Sequence, residues 1–335
     1  MRIKNNGNVE YKKILIVGTL EPEANFLLIP AIRLIREKNK NSKIDIIAGS
    51  GAEKILADIG WFEKIIPYKK TPILKNIHSI RSQRYDLVIS FYPSLIPFFT
   101  RARKRIVFFR RIMFADHFFT HESVNILRMI EPIFGKSQDT GLYFPINETD
   151  KERVKEFCKI NNITGSTTLI ALHAGSANNR WKAENYSIVC DSIIEEYNAK
   201  ILFFGAQKDS FIKEVIDFMK HPDNIFDMSS ISHIKTIAAF LSRANLAITR
   251  DGIFLYLACA MKTPVISIFG AGNPYRYGPI GVRYIIVHTD MDCFPCNNKQ
   301  RCKKNCVCID SISPQQVIEA ARLILDEGRQ LFLFE

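Results

Sequence analysis

Arg243–Gly278, RANLAITRDGIFLYLACAMKTPVISIFGAGNPYRYG, decides the fold. Leu246-Ala247-Ile248-Thr249 is a short apolar run with a β-branched end, the pattern of a buried strand. It stops at Arg250-Asp251-Gly252, where the chain must turn. Ile253 to Met261 is apolar on most faces and long enough for a buried helix. Lys262-Thr263-Pro264 ends it, because the residue before a proline disfavours the helical region. Val265 to Phe269 is a second buried strand, and Gly270 to Pro274 is a loop. Such a strand–turn–helix–strand unit sets a helix N-terminus and free backbone N–H groups at the carboxyl ends of parallel strands, where phosphates bind.

The same alternation runs through the whole chain. Lys13–Gly18, Ile44–Ala48, Lys64–Tyr68, Asp86–Ser90 and Lys104–Phe109 read as strands. The segments Phe26–Lys38, Ala52–Ile59 and His121–Phe134 read as helices. A further helix, Lys151–Lys159, starts behind acidic residues, as helix starts prefer. The polar stretch Asn161–Thr167 is the expected domain boundary, which divides the chain into 1–160 and 161–335. Beyond it the pattern restarts with strands at Leu169–Leu172, Lys200–Phe204 and Ile225–Met228. Helices follow at Ala183–Glu196, Phe211–Lys220 and Ile234–Ser242. The last helix, Val317–Leu325, is capped by Ser313-Pro314-Gln315-Gln316. Strands alternating with helices predict parallel, doubly wound sheets, here two Rossmann-like α/β domains facing a cleft.

A chain of 335 residues has room for two full cores. Its 47% hydrophobic and 24% charged content is that of a folded protein. The net charge of +12 fits solvated lysines or an anionic partner: a nucleotide, a phosphorylated glycan or acidic lipid. No nucleic-acid motif is present, so no nucleic-acid partner is expected. The N-terminal residues lack the apolar core of a signal peptide, and no stretch approaches the ~20 apolar residues of a membrane span. The expected location is the cytoplasm, with peripheral contact at the inner membrane. Arg101 to Arg111 interleaves basic residues with Phe108 and Phe109, either a solvated strand flank or a surface facing a phosphorylated acceptor or membrane.

The loop His173-Ala174-Gly175-Ser176, followed by Arg180-Trp181-Lys182, leaves another buried strand. It offers backbone donors, a hydroxyl and positive charge, the set a diphosphate needs. Alternatively, His173 is a satisfied hydrogen-bonding histidine and Trp181 plain core. Five of the eight cysteines fall in a Cys-rich loop, 293–308: Cys293, Cys296, Cys302, Cys306 and Cys308. Four of them would hold a structural Zn or Fe tetrahedrally. Free thiols are the other reading, since a disulfide framework is unexpected in the cytoplasm.

Taken in order, these pieces resemble the bacterial heptosyltransferases, family 9 of the glycosyltransferases. The resemblance rests on the proline-bearing helix after the first loop (Phe26–Arg33), on His121-Glu122-Ser123, and on His173-Ala174-Gly175-Ser176 with Arg180-Trp181. It rests further on Asp251 to Tyr256, Leu257-Ala258-Cys259-Ala260, Thr263-Pro264-Val265, Phe269-Gly270, Gly278-Pro279 and Cys293-Phe294-Pro295-Cys296. It implies a GT-B architecture with an N-terminal acceptor domain and a C-terminal nucleotide-sugar domain. It also implies an inverting, metal-independent transfer, with ADP-heptose as the usual donor and the lipopolysaccharide inner core as the usual glycan acceptor. The donor side would comprise His173, Gly175, Ser176, Arg180, Lys182, Asp251, Gly252, Tyr256 and Gly270. Where the family has its catalytic aspartate this chain has Ala24, so Glu23 or Glu21 would serve as the general base. The family's donor-site histidine is Tyr256 here, and Gly252-Ile253 stands for its Ser/Thr-Gly pair. These departures also fit a catalytically impaired relative that binds a nucleotide sugar or a partner glycosyltransferase. A sugar-nucleotide epimerase of related architecture is a third reading.

Overall fold

The structure is a computed structural model and describes residues 2–3, 9–68, 80–108, 119–137, 139–175, 180–207, 209–295 and 307–332. The chain divides into two compact units, Met1–Tyr143 and Phe144–Glu335.

The first unit begins with a small antiparallel pair, β1 (Arg2–Ile3) and β2 (Val9–Glu10). Its main sheet contains β3 (Lys13–Val17), β4 (Lys43–Gly49), β5 (Lys64–Tyr68), β6 (Leu87–Ser90) and β7 (Lys104–Val107). The order is β5-β4-β3-β6-β7, and every pair is parallel. Described helices are α1 (Pro22–Phe26), α2 (Ile29–Lys38), α3 (Ala52–Ile59), α4 (Ile96–Phe99) and α5 (Glu122–Phe134). The single helix expected over Phe26–Lys38 is two, broken at Leu27-Leu28, and the first of them starts earlier, at Pro22. Pro30 explains the restart, because its ring has no N–H and suits only the first turn of α2.

The second unit carries β8 (Leu169–His173), β9 (Lys200–Phe204), β10 (Ile225–Asp227), β11 (Leu246–Arg250), β12 (Val265–Phe269) and β13 (Tyr284–His288). Their order is β10-β9-β8-β11-β12-β13, parallel throughout. Helices α6 (Glu148–Ile160), α7 (Ala183–Tyr197), α8 (Phe211–Phe218), α9 (Ile234–Arg243), α10 (Ile253–Ala260), α11 (Pro274–Tyr277) and α12 (Pro314–Phe332) complete it. Successive strand side chains alternate faces. Ile170, Leu172, Leu246, Ile248, Ile266 and Ile268 thus share one core with Tyr186 and Val189 of α7 and Val317 and Ala321 of α12. β13 lacked a clear signal in the sequence, since Tyr284 is exposed and only Val287 of its five residues is buried.

Asn161–Thr167 follows α6, whereas the division into units precedes that helix. The packing of α6 accounts for this. Asp150 accepts a 2.8 Å hydrogen bond from the Thr236 hydroxyl of α9, and Phe157 meets Phe226 and Phe240 edge-on. A polar linker marks where the chain is exposed, but tertiary contacts decide which core a helix joins.

Candidate functional site

The strand order of the second sheet reverses between β8 and β11. In open parallel sheets the ligand crevice lies at that reversal, outside the carboxyl ends. The register pairs Thr249 with His173, so the loops leaving the two strands emerge side by side. The loops singled out in the sequence are therefore neighbours.

His173 ends β8. Its Nδ1 accepts the Gly175 N–H at 3.2 Å, and its ring stacks on Phe254 with centroids 4.9 Å apart. Burial first, and then the Arg180 charge, hold its pKa down at about 4. The imidazole is neutral near pH 7, and with Nδ1 accepting, its proton sits on Nε2. His173 can thus offer a ligand one neutral donor, not a cation.

Arg180 forks onto Asp209: Nη1 meets Oδ1 at 3.0 Å, and Nη2 makes a shorter contact with Oδ2. Nη2 also donates to the Gly175 carbonyl at 3.2 Å, and the guanidinium lies 4.4 Å over the Phe211 ring. The Arg180 hydrogen bond lowers the Asp209 pKa. Its charge is therefore matched within the protein. Trp181 is fully buried, and its Nε1 donates to the Ile312 carbonyl at 2.9 Å, which pins the loop to the segment before α12. Lys182 is exposed at the start of α7. Ser176 lies outside the described residues.

Across the reversal, β11 runs one residue further than the sequence suggested. Arg250 pairs with Ile268 as a strand residue and is only 5% exposed. Asp251 follows, with Oδ1 3.8 Å from an Arg250 Nη2, and its Oδ2 lies near Gly272 of the loop after β12. Gly252 then caps α10 with φ 142° and ψ −168°, a region essentially reserved for glycine. A Cβ at Gly252 would meet nothing within 4 Å, so the helix start is open to approach. The positive φ falls on Gly252, while Ile253 is already helical, so this turn makes no demand for a second glycine. Tyr256 is buried, and its hydroxyl donates to the Tyr277 carbonyl at 3.2 Å, which ties α10 to α11. Gly270 packs closely on Ile309, within 3.1 Å of a Cβ built there.

In the first unit, Glu21 and Glu23 sit at the carboxyl end of β3, both exposed. The loop is held by buried Asn25. Its Oδ1 accepts the Thr19 N–H at 3.0 Å, and its Nδ2 donates to the Thr19 and Glu21 carbonyls at 2.8 Å. Pro22 at the first helical position and Glu23 in the first turn favour the helix start of α1. The two glutamates are thus exposed side chains on an anchored backbone. His121 caps α5, with Nδ1 2.8 Å from the Ser123 hydroxyl, and Glu122 is buried beside it.

Of the five clustered cysteines, Cys293 is exposed and Cys308 is buried. Cys296, Cys302 and Cys306 lie outside the described residues. Among the described residues no group of three or more His, Cys, Asp or Glu is placed to hold a metal ion.

The sequence missed Arg250 as a site residue. The available signal was a charged residue at the end of an otherwise apolar run, on the parity of Leu246 and Ile248.

The family model described as glycosyltransferase family 9 (heptosyltransferase) matches residues 73–307. Lipooligosaccharide heptosyltransferase 2 of Campylobacter jejuni is 25% identical over 308 residues, 88% of this chain and 93% of that protein. A family 9 glycosyl transferase structure from Veillonella parvula superposes with a TM-score of 0.78 at 22% identity, covering 96% of this chain and 99% of that one. The E. coli ADP-heptose lipopolysaccharide heptosyltransferase II structure gives 0.73 at 16% identity, covering 95% and 99%. The last two establish the GT-B type of fold, with two Rossmann-like domains.

Proposed function

The chain belongs to glycosyltransferase family 9, the heptosyltransferases, and we propose on that premise that it moves heptose from ADP-heptose to a lipopolysaccharide-core acceptor. One observation carries the proposal: at the β8/β11 reversal, the open start of α10 at Gly252 stands beside the buried cation Arg250. A helix start and a guanidinium suit a diphosphate leaving group.

The transfer inverts the anomeric carbon in a single displacement. The acceptor hydroxyl oxygen bonds to the sugar C1 as the C1–O bond to the diphosphate breaks. That electron pair leaves on the phosphate oxygen, and the hydroxyl proton passes to a carboxylate, Glu23 or Glu21. Main-chain N–H groups and basic side chains stabilise the departing nucleoside diphosphate, so the chemistry needs no metal. On the donor side we retain His173, Gly175, Ser176, Arg180, Lys182, Asp251, Gly252, Tyr256 and Gly270. His173 would act there through its neutral Nε2–H, and Arg180 by holding the Gly175 loop. A structural Zn or Fe on four of the five clustered cysteines remains part of the proposal. Metal analysis of purified protein tests it, and less than a tenth of an equivalent, on the order of trace contamination, removes it.

Contact with an anionic membrane surface is proposed as well. No helix among the described residues is long and apolar enough to cross a membrane. In the first unit, however, Leu95, Phe98 and Phe99 are 72%, 60% and 49% exposed, and exposed Arg101, Arg103 and Lys104 follow. Apolar side chains with adjacent cations suit the interface of an anionic bilayer.

The transfer is tested by incubating purified protein with ADP-, GDP-, UDP- and dTDP-sugars and a lipopolysaccharide-core acceptor. Acceptor-dependent release of ADP from ADP-heptose is expected. Equal release from every donor, or binding without turnover, defeats the proposal.

A further inference from the structure

Arg250 and Arg180 lie in the same corner of the second unit, and both touch Gly175. The Gly175 carbonyl accepts from Arg180, and a Cβ built on Gly175 would stand 3.3 Å from the Arg250 Cδ. Gly175 has φ 81°, so the loop leaving β8 can fold its backbone directly on the Arg250 stem. The two guanidiniums differ in how their charge is met. Arg180 has the Asp209 fork. Among the described residues Arg250 has Asp251 at 3.8 Å, an ion pair too long for a hydrogen bond, and the buried Nε of each arginine has no hydrogen-bond partner. An arginine that is 5% exposed with an unsatisfied N–H is costly. A bound anion at the Nη groups would supply the hydrogen bonds that Asp251, at 3.8 Å, does not.

The position suggests which anion. Arg250 closes the strand on one side of the sheet reversal, and its neighbour Gly252 opens the N-terminus of α10. Ligand phosphates in this kind of sheet lie over that crevice, near a helix start. The buried Tyr186 hydroxyl of α7 also lacks a partner, and the charges of both Arg250 and Arg180 reach it. The corner therefore holds buried hydrogen-bonding groups without partners, at the Tyr186 hydroxyl and at the Nε of both arginines.

We propose that Arg250 is a donor-binding residue whose guanidinium meets the diphosphate of the nucleotide sugar, and that it makes its hydrogen bonds only when the donor arrives, Asp251 standing 3.8 Å away until then. This rests on the glycosyl-transfer function given above. In the reaction Arg250 would bind the phosphate oxygen that receives the electron pair of the broken C1–O bond. Arg180, already neutralised by Asp209, would position the loop and not bind phosphate.

The test uses purified wild type, Arg250→Met, which keeps the stem and removes the charge, and Arg250→Lys, which keeps the charge and removes the fork. Kd values are measured for ADP, GDP, UDP and dTDP, for the nucleoside of whichever one binds, and for inorganic pyrophosphate. Arg250→Met should bind the nucleoside diphosphate roughly 10- to 100-fold more weakly than wild type, the range of a lost charged hydrogen bond. It should lose pyrophosphate binding and hold the nucleoside unchanged. Without ligand it should melt no lower than wild type, because an unsatisfied buried charge is gone. Arg250→Lys should fall in between.

An unchanged diphosphate Kd in Arg250→Met overturns the proposal and leaves the transferase function intact. So does an equal loss of diphosphate and nucleoside affinity, which would mark a structural role. If Arg250→Met does not fold, Arg250→Lys decides by the same ratio of diphosphate to nucleoside affinity. If wild type binds none of the four nucleotides, the donor assignment itself fails and Arg250 falls with it.

Discussion

The carboxyl edge of the first sheet presents exposed acids, and that of the second presents buried arginines beside aspartates. After β3 the charged groups are Glu21 and Glu23, both exposed, on a backbone fastened by Asn25. Beside the β8/β11 reversal they are the largely buried Arg180 and Arg250 with their partners Asp209 and Asp251, and His173 is held neutral between strand and helix. The two sheets share the same reversal of strand order, 3-2-1-4-5 in the first and 3-2-1-4-5-6 in the second. Similar topology thus supports opposite chemistry. A proton acceptor works best when it can reach a hydroxyl and exchange with solvent. A phosphate receptor gains from burial, where a charge is worth more. The difference lies in the loops, and each half of the comparison can be tested separately.

The largest effect should come from the acidic edge. Glu23→Gln or Glu21→Gln, whichever removes the working base, should lower kcat by roughly 10² to 10⁴-fold. Both side chains are exposed, so the melting temperature should barely change. Full activity in the double variant would remove the acidic edge from the mechanism.

A smaller effect is expected from the basic edge as pH changes. The His173 pKa is about 4 in the folded chain, against 6.5 for a free histidine. Between those values the unfolded chain binds a proton that the folded chain does not, so stability falls as pH drops through that window. The full contribution is roughly 3 kcal/mol. Urea unfolding of wild type and His173→Asn at pH 7 and pH 4.5 should show a difference that shrinks or reverses at the lower pH. A stability difference independent of pH would mean that His173 titrates alike in the folded and unfolded chain, so that burial does not hold it neutral.

The smallest expected change lies on the first unit's surface, away from either comparison edge. Arg101→Gln should weaken partition into vesicles with anionic lipid about fivefold, since one basic side chain near such a surface is worth ~1 kcal/mol. Neutral vesicles should show no difference. Equal binding of the two proteins to anionic vesicles would confine charge effects to the ligand edges.

Much of the second unit was legible in the sequence. Arg243–Gly278 has buried strands at both ends of a helix that is apolar all round, and the structure keeps that order to within a residue. Runs of Ile, Val and Leu between glycines leave few alternatives to a parallel sheet. The family assignment came from the same stretch, through Asp251-Gly252 and Thr263-Pro264-Val265. Less legible was the role of each polar residue. Arg180 and Lys182 looked equivalent as phosphate cations, yet one is forked onto Asp209 and the other is exposed. Tyr256 looked like a phosphate donor, and its hydroxyl is bonded to the Tyr277 carbonyl. The partners, Asp209 and Tyr277, are 29 and 21 residues away. No local pattern announces a contact at that separation.

The sequence alone determined the alternation of strands and helices, the presence of two α/β units, and the glycine that turns β11 into α10. Those features depend on local periodicity and backbone sterics, which each short segment carries within itself. Tertiary structure alone decided that α6 joins the second core, that β8 and β11 bring His173, Gly175 and Arg250 together, and that Arg180 is hydrogen-bonded to Asp209 while Arg250 meets Asp251 only at 3.8 Å. Charge balance in a buried corner is a property of groups from several elements, and it exists only once the sheet has placed them side by side.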